Sequence, residues 1–180
     1  MQKATTASKN SADAANKSAK AAEDSVNFAK ETAQLDQRAW VNIQWLRLQT
    51  PLTPNAQAIV EMSVKNSGRT PAYNVKVRSN IYVGNDRIPL DENVPPVGRT
   101  SETTIGANAD TPIGTKQQNI LDQTAIDSIK HGESSLFTVG IITYRDVFGR
   151  QHRTDYCLFL ERDNLDKNVF AAWGTGNTSD

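Results

Sequence analysis

The 180-residue chain is poor in the side chains from which redox, metal and catalytic sites are usually built. It has one cysteine, Cys157, so an intramolecular disulfide and a cysteine-rich metal site are both excluded. Its two histidines, His131 and His152, leave few options for acid–base catalysis. Lys+Arg and Asp+Glu are 20 each, and this zero net charge argues against a protein that coats nucleic acid through a basic surface.

Sequence motifs that carry common enzyme chemistry are also missing. The chain contains no Gly-x-x-x-x-Gly-Lys phosphate loop, no strand-linked Gly-x-Gly-x-x-Gly and no Gly-x-Ser-x-Gly nucleophile elbow. The loop acids Asp91, Glu92 and Asp110 lack the spacing of a calcium loop. We therefore predict a protein that is not an enzyme and that has no catalytic residue, cofactor or metal site.

No run of apolar residues is long enough to span a bilayer. The longest charge-free apolar stretches, Ala39–Leu46 and Ser134–Tyr144, are far shorter than the ~20 residues that a spanning helix needs. The residues that follow Met1 are polar, so we see no signal-peptide core. If the parent protein is membrane-bound, we expect its anchor to lie upstream of this sequence.

Glycine and proline are absent before Pro51, and all seven prolines lie between Pro51 and Pro112. The first 37 residues hold ten alanines, and alanine is the best helix former. The sequence therefore predicts one long Ala-rich α-helix from Lys3 to about Gln37, roughly 50 Å in length. We define residues 1–37 as a helical stalk.

The predicted stalk has few large apolar side chains. They are confined to its last third, at Val26, Phe28 and Leu35, and burying alanine removes little apolar area from water. Two interpretations follow: a solvated, partly frayed stalk, or an alanine-based coiled coil with a partner or a second copy.

Residues 38–163 change to the period-two alternation that is typical of half-buried strands. Val41, Ile43 and Trp45 are predicted to share one face of the first strand. In the second strand, Ala58, Val60, Met62 and Val64 alternate against Ile59, Glu61, Ser63 and Lys65. The third, longer strand is supplied by Tyr73, Val75, Val77, Ser79, Ile81 and Val83. Residues 84–118 are predicted to be long loops with one short strand near 101–105, and residues 121–131 a short helix.

These elements predict a mainly β fold, an antiparallel immunoglobulin-like β-sandwich with one short helix behind the N-terminal helix. Residues 164–180 are predicted to be a C-terminal tail that frays after Trp173. The last hairpin is the best specified element, because Asp146 and Gly149 suit a tight turn between Leu136–Arg145 and Arg150–Leu160. That register places Tyr144 opposite His152. It also makes the far half of the hairpin apolar on both faces, and we expect the short helix or the end of the N-terminal helix to cover one of them.

The turn end of this hairpin mixes arginine with aromatic residues, a composition favoured at interface centres. The candidate interaction residues are Tyr144, Arg145, Phe148, Arg150, His152 and Arg153. One alternative is single-stranded nucleic-acid binding through residues 144–156. Another is a small hydrolase or metal-dependent enzyme around His152 and Asp146. His152 and Cys157 are five residues apart in one strand and so face opposite sides; we expect His152 at the rim, stacked on Tyr144.

Two segments carry a family resemblance. The segment Val64–Val75, with Asn66, Gly68, Pro71 and Ala72, is similar to the N-x-G-x-x-P-A-x-x-V hairpin of bacterial immunoglobulin-like sandwich domains. The segment Gly140–Tyr156 resembles a hairpin of uncharacterised bacterial proteins in which a transmembrane helix precedes a polar helix and a small β-domain. The resemblance covers about residues 20–160 and implies a sandwich on a membrane-tethered stalk.

The function predicted from these features is a non-catalytic interaction or structural module of a membrane-anchored bacterial protein. We expect an unknown protein partner, self-association through the N-terminal helix, no nucleic acid, and membrane association only through the upstream anchor. Residues 1–20 carry four lysines against Asp13, which favours the cytoplasmic face if a membrane helix precedes them.

Overall fold

A computed structural model describes residues 2–88, 102–116 and 120–179. The chain divides into two units, Met1–Gln37 and Arg38–Asp180. The first unit is helix α1, Gln2–Gln37, so the long helix predicted from the absence of glycine and proline is confirmed. The side chains from residue 9 to residue 33 are exposed. No helix in the described part of the chain is long and apolar enough to cross a membrane.

The second unit is mainly β, as predicted. Its strands are β1 Val41–Leu48, β2 Ile59–Asn66, β3 Ala72–Gly84, β4 Thr103–Ile105, β5 Asp110–Lys116, β6 Ser135–Arg145, β7 Gln151–Leu160, β8 Ala171–Ala172 and β9 Thr178–Ser179. Two short helices, α2 Gln123–His131 and α3 Arg162–Leu165, flank the β6–β7 hairpin in sequence.

The strands form two antiparallel sheets that share one hydrophobic core. One sheet has the order β1-β2-β5; the other has the order β4-β3-β6-β7-β8, with β9 also paired to β7. Thr154 of β7 donates a 2.8 Å hydrogen bond from Oγ1 to the carbonyl of Val41 in β1. The Tyr156 hydroxyl lies 3.9 Å from the Met62 sulfur of β2. These contacts show that the two sheets face each other across the core.

Two bulges shift side chains away from the predicted alternation. The β1–β2 register shifts between Ile43 and Trp45, so Trp45 is exposed and Leu46 is buried instead. In β3 the register shifts near Asn74, whose φ of 54° is left-handed, and Tyr73 turns outward. The predicted alternation is therefore wrong at Trp45, which does not share the buried face of Val41, and at Tyr73, because an extra residue reverses the faces of a strand.

Strand β5 was not predicted, because its proline and glycine lower β propensity. It nevertheless pairs with β2 along its whole length, from Ile59↔Lys116 to Lys65↔Asp110. Proline is tolerated there because β5 is an edge strand. The predicted short strand near residues 101–105 is β4, while residues 89–101 lie outside the described residues.

Helix α2 is confirmed together with its caps. The Asp122 carboxylate accepts a 2.7 Å hydrogen bond from the Ala125 N–H, and Gly132 ends the helix with a φ of 78°. Ile126 and Ile129 are buried in the large core.

The C-terminal residues do not fray after Trp173 but fold back along β7. The Trp173 N–H donates to the Cys157 carbonyl at 2.9 Å, and the Cys157 N–H donates to the Asn177 side chain at 2.9 Å. Strand β9 then pairs with Thr154 and Asp155. The predicted separate tail, residues 164–180, therefore supplies two short strands to the larger sheet.

A small second core lies on the face of the hairpin away from the large core. It is built from Phe137, Val139 and Cys157, with Tyr82, Phe159 and Trp173 packed against it. The Trp173 ring stands edge-on to Phe137 and Phe159, with centroid distances of 5.1 and 5.2 Å. The cover of this face comes from β3 and from residues 164–180. On the other face, Ile126 and Ile129 of α2 share the large core with Leu136 and Leu160, so the expectation that the short helix covers one face is confirmed.

Candidate functional site

The β6–β7 hairpin has the register that the sequence predicts. Tyr144 pairs with His152, and Val139 pairs with Cys157. At the turn, the Asp146 N–H donates to the Arg150 carbonyl at 3.0 Å and the Gly149 N–H donates to the Asp146 carbonyl at 3.1 Å. Gly149 has a φ of 80°, a left-handed conformation that glycine adopts without a steric penalty.

The Asp146 carboxylate holds this turn from the inside. One oxygen, Oδ1, accepts hydrogen bonds from the N–H groups of Phe148 and Arg150, both at 2.9 Å. The other, Oδ2, lies 2.9 Å from Nε2 of His152. The side chains of His152 and Asp146 are only 7% and 1% exposed. Both oxygens are thus engaged within the hairpin and face away from solvent.

The hydrogen bonds of Asp146 set its ionisation. Burial by itself raises the pKa of this carboxyl, but the hydrogen bonds from His152, Arg150 and Phe148 and the nearby His152 charge lower it, and the net pKa lies below the usual value. The carboxylate is therefore charged at neutral pH and is stabilised by the turn that it organises.

Two of the predicted interaction residues point into the core. The rings of Tyr144 and His152 stack with centroids 5.2 Å apart, as predicted. The Tyr144 hydroxyl also donates to the Ala39 carbonyl at 3.3 Å. Both residues are buried, at 2% and 6% exposure, so the expected rim position of His152 is wrong. The imidazole is held in this buried position by the Asp146 carboxylate, whose Oδ2 lies 2.9 Å from Nε2 of His152.

The other predicted residues differ in exposure. Arg145, Phe148 and Arg150 are exposed at the turn. Arg153 is half-buried and forms a two-pronged pair with Asp155, with Nε–Oδ2 and Nη2–Oδ1 distances of 2.8 Å each. Three of the six predicted residues therefore lie on the outer surface of the turn, and Arg153 is paired with Asp155.

Two exposed residues beside the turn were missed from the sequence. Val147 is 47% exposed within the turn, and Tyr73 is 40% exposed opposite Arg145 on β3. The position of Val147 between Asp146 and Phe148 is a usable signal in the sequence, whereas the alternation groups Tyr73 with Val75 because the bulge at Asn74 has no clear sequence mark. We define the hairpin tip as Tyr73, Arg145, Val147, Phe148 and Arg150.

The hairpin separates its histidine from its cysteine, as predicted. His152 faces the large core, and Cys157 lies in the small core on the opposite face of β7. Within the described ranges, no group of three His, Cys, Asp or Glu side chains is placed to hold a metal ion. The loop acids Asp91 and Glu92 lie outside those ranges.

Comparison with known proteins gives one family match. A family model described as a domain of unknown function (DUF8453) matches residues 12–162, which is most of the chain. No curated protein and no solved structure matches the chain.

Proposed function

The chain belongs to the DUF8453 family, whose function is unknown, so we propose a role from its own surface: a non-catalytic interaction module that binds a protein partner through the hairpin tip. The observation that carries this proposal is an exposed apolar pair, Val147 and Phe148, between two exposed arginines on a turn that is fixed from within.

Rigidity makes the hairpin tip suitable for binding. The Asp146 carboxylate fixes the N–H groups of Phe148 and Arg150, so the turn is shaped before any partner arrives. A preformed loop loses less conformational entropy on association than a flexible one. Arginine and aromatic residues are also the residue types that most often dominate binding energy in protein interfaces.

The buried Asp146–His152 pair supports a structural role over a catalytic one. A general acid or base must reach a substrate within hydrogen-bond distance, directly or through one water. Here the carboxylate is committed to three internal hydrogen bonds, and the imidazole is stacked on Tyr144 inside the core. This arrangement argues against the alternative of a hydrolase or metal-dependent enzyme around His152 and Asp146.

We further propose that the two-sheet unit is an immunoglobulin-like sandwich carried on an Ala-rich stalk, and that the parent protein is anchored in a membrane upstream of this chain. The resemblance of Val64–Val75 and Gly140–Tyr156 supports the sandwich and the tether. The lysines of residues 1–20 support the cytoplasmic face.

A pair of matched double variants tests the binding role. The first replaces Val147→Ser and Phe148→Ser in the hairpin tip; the control replaces Ile88→Ser and Ile120→Ser, which are equally or more exposed at 59% and 63%. The wild-type chain serves as bait in extracts of cells that express the natural gene. Each recovered protein is identified and purified, and its Kd for the three chains is measured by calorimetry.

We expect at least tenfold weaker binding to the tip variant and unchanged binding to the control, because the tip loses its apolar contacts. Equal binding to both variants would place the interface elsewhere and overturn the proposal. Recovery of nuclease-sensitive material that is lost on Arg145→Gln and Arg150→Gln would instead support the nucleic-acid alternative.

A further inference from the structure

A second candidate binding surface is the outer edge of β1, which is turned away from β2. Strand β1 is an edge strand of the three-stranded sheet. Beyond its end, the Gln49 N–H donates to the Ile59 carbonyl of β2, so the backbone groups of Leu48 point the other way. In an antiparallel pair this orientation alternates residue by residue, which makes Leu46 outward-facing as well.

Both ends of this edge are occupied by side chains of the same chain. At one end the Val41 carbonyl accepts from the Thr154 hydroxyl at 2.8 Å. At the other end the Leu48 N–H donates to Asn168 Oδ1 at 2.7 Å, and the Leu48 carbonyl accepts from Asn168 Nδ2 at 2.9 Å. The Asn168 carboxamide therefore makes the two hydrogen bonds that a neighbouring strand would make.

Between these ends the edge is open. Ile43 lies two residues after Val41, and Leu46 lies two residues before Leu48, so the backbone N–H and C=O groups of both point outward. No residue in the described ranges pairs with β1 on this side as a strand. An open edge of this kind is a template for another extended chain.

A run of three cavities follows this edge. They have volumes of about 250, 520 and 460 Å³ and are lined in turn by residues 42–43, 44–47 and 48–52 of the β1 side. Residues of the C-terminal segment, which we define as residues 164–180, also line each cavity. Trp45, Val169 and Phe170 give the middle cavity an apolar wall, with the Arg47 guanidinium 4.7 Å from the Trp45 ring centroid. We call this run of cavities the β1 groove.

We propose that the β1 groove binds an extended peptide segment of a partner protein, which adds as a strand beside Ile43 and Leu46. Main-chain donors and acceptors in a row are matched by another extended main chain. Asn168 already supplies one such pair of bonds at the end of the same edge. The segment places an apolar side chain in the middle cavity, next to Trp45 and Phe170.

The bulge in β1 disfavours pairing with the β1 strand of a second copy and favours a peptide. The register shift between Ile43 and Trp45 puts two residues, Gln44 and Trp45, instead of one between the outward-facing positions Ile43 and Leu46. Two copies of β1 would therefore meet bulge against bulge and break their common ladder. A short flexible peptide has no fold of its own to maintain and adjusts to this spacing.

Peptide selection with matched variants tests the groove. A displayed library of random 12-residue peptides is selected on the purified full chain, and enriched peptides are synthesised. Their Kd is measured by fluorescence anisotropy for the wild type, Val169→Asp in the groove and Val147→Asp in the hairpin tip. The two valines are similarly exposed, at 52% and 47%. Amide exchange of Ile43 and Leu46 is followed by NMR with and without peptide.

We expect at least tenfold weaker binding to Val169→Asp, unchanged binding to Val147→Asp, and slower exchange of the Ile43 and Leu46 amides when peptide is bound. If Val169→Asp lowers the melting temperature, Trp45→Ser gives the second test with the same expectation. Failure to enrich any peptide, or binding that survives both groove variants, would overturn the proposal. Loss of peptide binding only in Val147→Asp would overturn the proposal and would support the hairpin tip as the binding surface. A dimer whose Leu46 amides are protected before peptide is added would assign the groove to a second copy and would also overturn the proposal.

Discussion

At the scale of single residues, the buried Asp146 carboxylate holds the turn of the hairpin. Three hydrogen bonds reach one buried carboxylate, and hydrogen bonds to a charged group are worth more than neutral ones, about 1.5–3 kcal/mol each. Because the pKa of this carboxyl is lower in the folded chain than in the unfolded chain, Asp146 contributes stability above about pH 4.

We therefore expect the free energy of unfolding to fall as the pH drops below about 4, through the lowered pKa of Asp146. Asp146→Asn should lower stability at pH 7 by about 2–3 kcal/mol and flatten this acid dependence. Asp155→Asn, which removes a partly exposed pair with Arg153, should cost less than about 1 kcal/mol. Urea unfolding between pH 3 and 7 checks this, and an unchanged acid slope in Asp146→Asn would contradict it.

Gly140 in β6 shows a second constraint at this scale. A Cβ built there would collide with the Arg78 carbonyl and with the Tyr156 ring and hydroxyl, because Tyr156 lies directly opposite. We expect Gly140→Ala to destabilise the chain by about 1–3 kcal/mol, the usual cost of overpacking a core. Gly114→Ala on edge strand β5 is the matched control, since nothing lies within 4 Å of its Cβ position. Equal urea midpoints for the two variants would show that the core accommodates the methyl group.

Residue patterns predict this hairpin well but not its burial. Asp146 and Gly149 specify the turn and its register, because each has a strong local preference. The contact between Asp146 and His152 depends on the geometry of the turn and cannot be predicted from the alternation of apolar and polar residues. Charge and aromatic content alone therefore predict one exposed cluster that includes Tyr144 and His152, although both side chains are buried.

At the scale of elements, sequence periodicity predicts strands and fails where the period changes. The β1 and β3 bulges each reverse one face, and Trp45 and Tyr73 were misplaced for that reason. Strand β5 was missed because an edge strand tolerates residues that a central strand does not. The C-terminal strands are two residues each, too short for any periodicity to be read.

The C-terminal segment has a measurable role as the cover of the small core. Cys157 is fully buried, and burial raises the pKa of its thiol, so wild-type Cys157 should react slowly with Ellman's reagent. Trp173→Ala removes the ring that packs on Phe137 and Phe159. We expect it to speed the reaction at least tenfold, whereas Phe148→Ala at the hairpin tip leaves the rate unchanged. Equal rates in all three chains would mean that Trp173 does not shield the thiol.

At the scale of the whole molecule, the boundary between helix and sheets near Arg38 is the feature that the sequence predicts most clearly. Helix α1 follows from alanine content and the absence of breakers, and the second unit follows from period-two alternation. The function of the protein is not predicted from the sequence in the same way, because turns and bulges, more than motifs, decide which side chains are exposed.

We expect self-association through helix α1, because Val26, Phe28 and Leu35 are 66%, 73% and 51% exposed. Light scattering should show a mass that rises with concentration above the 19.8 kDa of one chain. Deleting residues 1–30 should remove that rise. A constant monomer mass at high concentration would contradict the coiled-coil interpretation and leave α1 as a solvated stalk.

Binding through the hairpin tip is tested most directly by a photo-crosslinker placed at position 148. Benzoylphenylalanine replaces Phe148 in one chain and exposed Glu133 in the control chain, and both are irradiated in cells that express the natural gene. We predict a crosslink to a discrete protein from position 148 and none from position 133. Equal labelling from both positions, or no product from position 148, would contradict the assignment of the hairpin tip as the binding surface.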